Sequence, residues 1–217
     1  MFSALSETIT KQSIAKSVNG VLRRIPAWSL YIIAVIPPVL MFLSALNGTL
    51  GVDPVKELEH EMGELGLQVL IVVLAITPLR RITGISLIKF RRALGLIGFF
   101  YIFLHLLVWL VLDVQILDQI VKDIIKRPYI TIGMAGFVLM MPLAITSNNW
   151  SIRKLGPKWR NLHKLTYPAL ILGGVHFVWL VKGWQLEPLI YLGVIVALLA
   201  VRVFWSVAPR AKSRRAQ

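Results

Sequence analysis

The sequence predicts an all-α membrane protein built as a bundle of six transmembrane helices, with both termini cytoplasmic. Three observations lead there. The 217 residues are 57% hydrophobic and only 16% charged, with a mean hydropathy of +0.73, far more apolar than a water-soluble domain of this length. The apolar residues gather into six runs close to the roughly 20 residues that cross a hydrocarbon core. The basic residues keep to alternate connections, the pattern of the positive-inside rule.

Taken in order, residues 1–26 are polar and carry Lys11, Lys16, Arg23 and Arg24. They show neither the short apolar run nor the small-residue cleavage site of a signal peptide, and read as a basic cytoplasmic tail. A membrane domain follows at 27–208, with spans expected at 27–46, 62–79, 93–112, 129–146, 165–181 and 188–208. The second and fifth are short and need tilt or flanking residues. A basic cytoplasmic tail closes the chain at 209–217.

The charges set the orientation. Arg80, Arg81, Lys89, Arg91 and Arg92 fill one connection; Arg153, Lys154, Lys158, Arg160 and Lys164 fill another; Arg202, Arg210, Lys212, Arg214 and Arg215 end the chain. With the N-terminal four these are 19 of the 24 basic residues, whereas nine of the ten acids fall in the opposite connections. The net charge of +14 is thus an inner surface facing anionic lipid in the bilayer. Nucleic acid is not expected as a partner, because no soluble basic face with groove-reading elements is present.

The outer connections carry turn and helix signals. Asp53 caps a helix whose first position is Pro54, and Val55, Leu58, Met62 and Leu65 then recur at helical spacing, predicting an amphipathic helix along the outer surface. Ile116, Ile120, Ile124 and Ile125 predict a second one. Either helix could cap the bundle or dock a partner. Pro37, Pro38, Pro78, Pro142 and Pro168 interrupt the spans, each freeing a carbonyl and bending the axis. No internal repeat is evident. The chain has no cysteine, which excludes covalent haem, thiolate iron–sulfur clusters and disulfides.

Chemistry centres on histidine. From Arg92 to His105 is about 20 Å of helix, and from Lys164 to His176 about 18 Å, so both imidazoles lie at matching depth in the outer half of the bilayer. One such histidine alone reads as a hydrogen-bonded polar group in a membrane core. Two at one depth predict the axial ligands of a haem iron, with Gly173 and Gly174 before His176, and Gly95 and Gly98 below His105, leaving room for a flat macrocycle. His163 stands at the inner end of the fifth span. A second haem there would face Arg91 and Arg92 across the bundle, so the alternative is an anionic cofactor near His163, Arg91, Arg92 and Arg153. His60 reads as a surface residue. Tyr101, Trp109, Trp179 and Trp184 lie near the route and read as anchors or core rather than relays.

These residues carry a resemblance. The runs GVDPVKELEH, ITPLRR and LIKFRRALGL ahead of His105, then KRPYITIG, RKLGPKWRNLHKLTY and His176, resemble the MsrQ (YedZ) family over about residues 27–207. The resemblance implies a ferric-reductase-like transmembrane domain, a b-type haem and a flavin mononucleotide (FMN). It further implies a subunit of the inner (plasma) membrane that passes electrons to a periplasmic MsrP-type molybdoenzyme reducing methionine sulfoxide in oxidised proteins. The donor would be the quinone pool or a cytoplasmic flavin reductase. On this reading the chain transfers electrons and makes no substrate bond itself. A stand-alone quinol- or ferric-reducing cytochrome is the alternative, and a transporter or scaffold without redox function a third reading.

Overall fold

The computed structural model describes residues 2–181, 183 and 185–207, with side chains from Gln12 to Trp205. The 209–217 tail and Trp184 lie outside the described residues. The described chain is all-helical: α1 (Phe2–Arg24), α2 (Ser29–Leu46), α3 (Pro54–Thr83), a 3-10 turn (Ile88–Phe90), α4 (Arg91–Val108) running into a π-turn (Trp109–Val114), α5 (Leu117–Lys126), α6 (Pro128–Ile145), α7 (Asn149–Leu155), α8 (Pro157–Leu162), a second 3-10 turn (His163–Leu165), α9 (Thr166–Leu180) and α10 (Leu186–Val207).

Among the described residues, five helical stretches are long and apolar enough to cross a membrane: Ser29–Leu46, Pro54–Thr83, Ile88–Val114, Pro128–Ile145 and Leu186–Trp205. The stretch expected as the fifth span is α9, a helix of 15 residues. That is about 22 Å, less than the ~30 Å hydrocarbon core. It nevertheless packs against α6, α10 and α3 within the bundle.

α3 differs from expectation. The outer surface helix and the second span are one continuous helix of 30 residues. Asp53 caps it, its carboxylate accepting from the Lys56 N–H, and Gly84 in the left-handed region ends it. No proline separates the two predicted pieces, and the stripe read as lying on the membrane is buried instead: Leu58 and Met62 pack with Val108, flanked by Met41, Ala45 and Leu104. The second outer helix is present as α5, with Ile120 and Ile124 packed beside Trp109, Val114 and Ile130. Ile125 is turned outward.

α3 is the central element. Its Leu67, Leu70 and Leu74 form the main core with Met140 of α6, Ala169 and Leu170 of α9, and Ile195 of α10. Small residues let the helices approach. A β-carbon at Gly66 would lie 2.7 Å from Ile102 Cδ1, and one at Gly98 2.7 Å from Leu70 Cδ2. Gly98 therefore serves α3–α4 packing rather than room for a macrocycle. Gly174 likewise packs on Leu192 and Ile195 of α10.

Two prolines free carbonyls that other helices satisfy. Pro38 cannot donate to the carbonyl of Ala34, and the Tyr101 hydroxyl donates there instead at 2.8 Å. Pro78 leaves Leu74 without its donor, and Arg202 Nη2 fills the place at 2.7 Å. Each missing intrahelical bond thus becomes an interhelical one. Pro168 lies in the first turn of α9, where no N–H is needed.

Candidate functional site

His105 on α4 and His176 on α9 meet in the half of the bundle expected to face outward, their ring centroids 6.2 Å apart and their planes at 74°. His105 Nδ1 lies 2.8 Å from the Glu59 carbonyl on α3, and His176 Nδ1 lies 2.7 Å from the Tyr129 carbonyl on α6. A carbonyl only accepts, so each Nδ1 carries the proton and each Nε2 keeps a free lone pair. This is how proteins orient an imidazole for metal binding.

Two glycines seat the rings. A β-carbon on Gly63 would lie 3.0 Å from His105 Nδ1, and one on Gly133 would lie 2.7 Å from His176 Nδ1. The two halves repeat one device: carbonyl, glycine four residues on, and histidine 46 or 47 residues after the carbonyl. Gly63 and Gly66 recur 70 residues later as Gly133 and Gly136. That doubled G-x-x-G is the sequence signal that would have located both seats.

The histidines face a cavity of about 220 Å³, lined by apolar side chains including Leu67, Leu106, Met134, Phe137 and Phe177, and by Gly133, Gly136 and Gly173. Lys56, Glu59, His60, Asp113 and Arg127 line its outer end. His60 thus belongs to the cavity lining. Among the described residues no group of three His, Cys, Asp or Glu could hold a metal ion. Two nitrogen donors suit a metal that brings its own equatorial donors. An iron bonded at about 2 Å to each of two imidazole nitrogens separates the ring centroids by about 6 Å, so the pair fits a haem.

A second cavity, about 720 Å³, opens at the other end of the bundle, the one expected to face inward. His163, Arg91 and Arg92 line it with Lys89, Arg160 and Lys164, and among the described residues no acid does. Arg153 is exposed on α7 and lies outside this lining, as does Gly174; Gly95 is within it. Trp159 stacks on His163 at 3.9 Å. The Thr146 hydroxyl donates to the Pro142 carbonyl at 2.6 Å, so the His163 Nε2–H donates to Thr146 Oγ1 at 3.1 Å. That nitrogen is therefore spoken for and does not face the cavity as a metal ligand. Burial, and then the positive charge of Arg91, hold the His163 imidazole below its ordinary pKa.

The two cavities share a wall of Leu70, Met140, Ala169 and Leu170. Across it Phe99, lining the inner cavity, stacks on Phe137, lining the outer one, at 5.6 Å and 11°. Of the aromatic residues expected near the route, Tyr101 is core, Trp109 is buried against the outer cavity, and Trp179 is exposed at the surface.

Comparison with known proteins gives a consistent picture. The family described as "Ferric reductase like transmembrane component" matches residues 62–174. A Brucella anthropi protein named "Protein-methionine-sulfoxide reductase heme-binding subunit MsrQ" is 48% identical over 87% of this chain and 84% of its own length. The Brucella ovis protein of the same name is 49% identical over 81% of this chain and 80% of its own. No solved structure matches.

Proposed function

The chain belongs to the MsrQ family of ferric-reductase-like membrane proteins, and from that premise we propose that it is a b-type cytochrome subunit carrying electrons across the bacterial inner membrane. The observation that carries the reading is the His105–His176 pair, 6.2 Å apart with both Nδ1 atoms tied to carbonyls. His105 and His176 would hold haem b through Nε2. Held by these two residues, the haem would supply single-electron uptake and release, with no place left on it for small ligands.

The chain's own residues do the rest. Glu59 and Tyr129 carbonyls fix the ring tautomers, Gly63 and Gly133 admit the rings, and the apolar lining keeps water from the iron position. The inner cavity, cationic and aromatic, suits an anionic planar group; FMN is the one the family resemblance names. Its binding residues would be His163, Arg91 and Arg92, with Lys89, Arg160 and Lys164 beside them. The charge asymmetry supports six crossings with both termini cytoplasmic, α9 completing its crossing with the flanking turn and local thinning of the bilayer. Electrons enter at the inner face from quinol or a cytoplasmic flavin reductase and leave outward to a periplasmic MsrP-type molybdoenzyme that reduces methionine sulfoxide.

The test is a reduced-minus-oxidised spectrum of the purified chain from haem-replete cells. A b-type signal lost in both His105→Ala and His176→Ala, and kept in His163→Ala, is expected. A colourless folded protein, or a signal indifferent to both substitutions, would overturn the proposal. Electron delivery to the purified molybdoenzyme in preference to ferric chelates separates it from a stand-alone ferric reductase.

A further inference from the structure

Glu64 places a carboxyl side chain at the depth of the two histidines. It lies on α3 next to Gly63, the seat of His105, and about 7.5 Å further along the helix axis than Glu59. It lines the same cavity as both imidazoles. Oxygen Oε1 accepts from Gln68 Nε2 at 2.8 Å and from the Tyr191 hydroxyl of α10 at 2.8 Å, and the Gln68 amide also reaches the Tyr191 oxygen at 2.7 Å. Both donors are neutral. Among the described residues, Glu64 takes part in no ion pair. Of the other charged groups of the lining, Asp113 faces both Lys56 and Arg127, and Glu59 faces Asp113 and Lys56.

A carboxylate at membrane depth is costly and is normally matched by a positive partner. Among the described residues Glu64 has none. The iron–porphyrin core of an oxidised haem with two neutral imidazole ligands carries one net positive charge, from ferric iron against the doubly negative ring and apart from its two propionates, and one-electron reduction cancels it. We infer that Glu64 is the internal counter-charge of the oxidised haem and lowers its reduction potential. The inference rests on the haem reading of His105 and His176. The redox step is the addition of one electron to ferric iron, giving ferrous iron, with no bond made or broken. A nearby negative charge favours the ferric side, while each hydrogen bond to the carboxylate tempers that charge.

Two substitutions must then act in opposite directions. Glu64→Gln keeps the shape and removes the charge, so the midpoint potential rises. Tyr191→Phe removes one donor and leaves the carboxylate less tempered, so the midpoint falls. A merely structural role would move both the same way. The experiment is an optical redox titration of the haem-loaded chain in detergent, with dithionite as reductant and ferricyanide as oxidant. The expected shift for Glu64→Gln is about tenfold in the one-electron equilibrium, ~59 mV upward, and for Tyr191→Phe about twofold downward, ~18 mV. If Glu64→Gln does not fold, Glu64→Met replaces it, methionine being the residue at the equivalent position 134. Full haem content with a neutral variant within twofold of wild type, or Tyr191→Phe at or above wild type, overturns the inference and leaves the haem reading standing. Absence of haem from the wild type overturns the haem reading itself.

Discussion

Gly133 lies so close beneath His176 that a β-carbon on it would come within 2.7 Å of the ring's Nδ1. The contact is against the imidazole ring, which its hydrogen bond to the Tyr129 carbonyl holds in place, so little can yield. Gly133→Ala is expected to displace the ring and lower haem affinity by about tenfold or more, the scale of lost support behind a metal ligand. Gly63→Ala, with 3.0 Å at His105, should lose less. Haem per chain, measured as the pyridine haemochrome at equal protein, checks the order.

Tyr101 and Pro38 should be coupled. Tyr101→Phe strands the Ala34 carbonyl that Pro38 has already deprived of its donor, an expected loss of about 1–3 kcal/mol. Adding Pro38→Ala restores a backbone N–H and should recover much of that loss. A double-mutant cycle on thermal stability in detergent that shows simple additivity would contradict the pairing.

Arg202 should tolerate lysine poorly. Its guanidinium reaches the Leu74 carbonyl, Thr77 Oγ1 at 3.3 Å and the Tyr167 hydroxyl at 3.1 Å, a three-way fork that a single ammonium cannot reproduce. Arg202→Lys is expected to lower the melting temperature more than Tyr167→Phe, which removes one contact of the three.

The inner cavity makes a cleaner test of charge. Arg91→Gln and Arg92→Gln should reduce the flavin that co-purifies with the chain, because both residues line the cavity. Arg153→Gln should leave it unchanged, because Arg153 stands outside. Flavin released by acid and measured by fluorescence distinguishes these outcomes.

His163 predicts a pH dependence. Its pKa is held below the ordinary value by burial and by Arg91, so the folded chain binds fewer protons here than the unfolded one. Stability is then greatest above about pH 6.5, the ordinary histidine value, and falls as pH drops through that value toward the lower folded one. Melting curves between pH 5 and 8 should show this slope, and His163→Gln should flatten it.

Much of this was legible beforehand, for identifiable reasons. Depth in a membrane can be counted from flanking charges, which is why His105 and His176 could be paired across 71 residues of chain. The cationic inner cavity was legible in part: Arg91, Arg92 and His163 gather there, but Arg153 does not, since its place on α7 depends on how the connection folds back. The seating glycines were misjudged. Gly98 and Gly174 are nearer in sequence to the histidines, yet helix packing uses them, while Gly63 and Gly133 act from neighbouring helices. The continuity of α3 was missed because an amphipathic stripe reads alike whether it faces lipid headgroups or the flanks of α2 and α4. The Glu64 network was missed because Tyr191 lies 127 residues away.

The repeated carbonyl, glycine and histidine also bear on how such a molecule could arise. One helical pair bearing one copy is half a binding site, and two identical copies would complete it only by dimerising, at a rate and yield set by concentration. Carrying both halves in one chain makes assembly a first-order event. It also frees the copies to differ, and position 64 shows the difference: an acid in one half, Met134 in the other. Two identical halves could offer a bound group only matched surroundings, whereas the joined chain can be charged on one side alone.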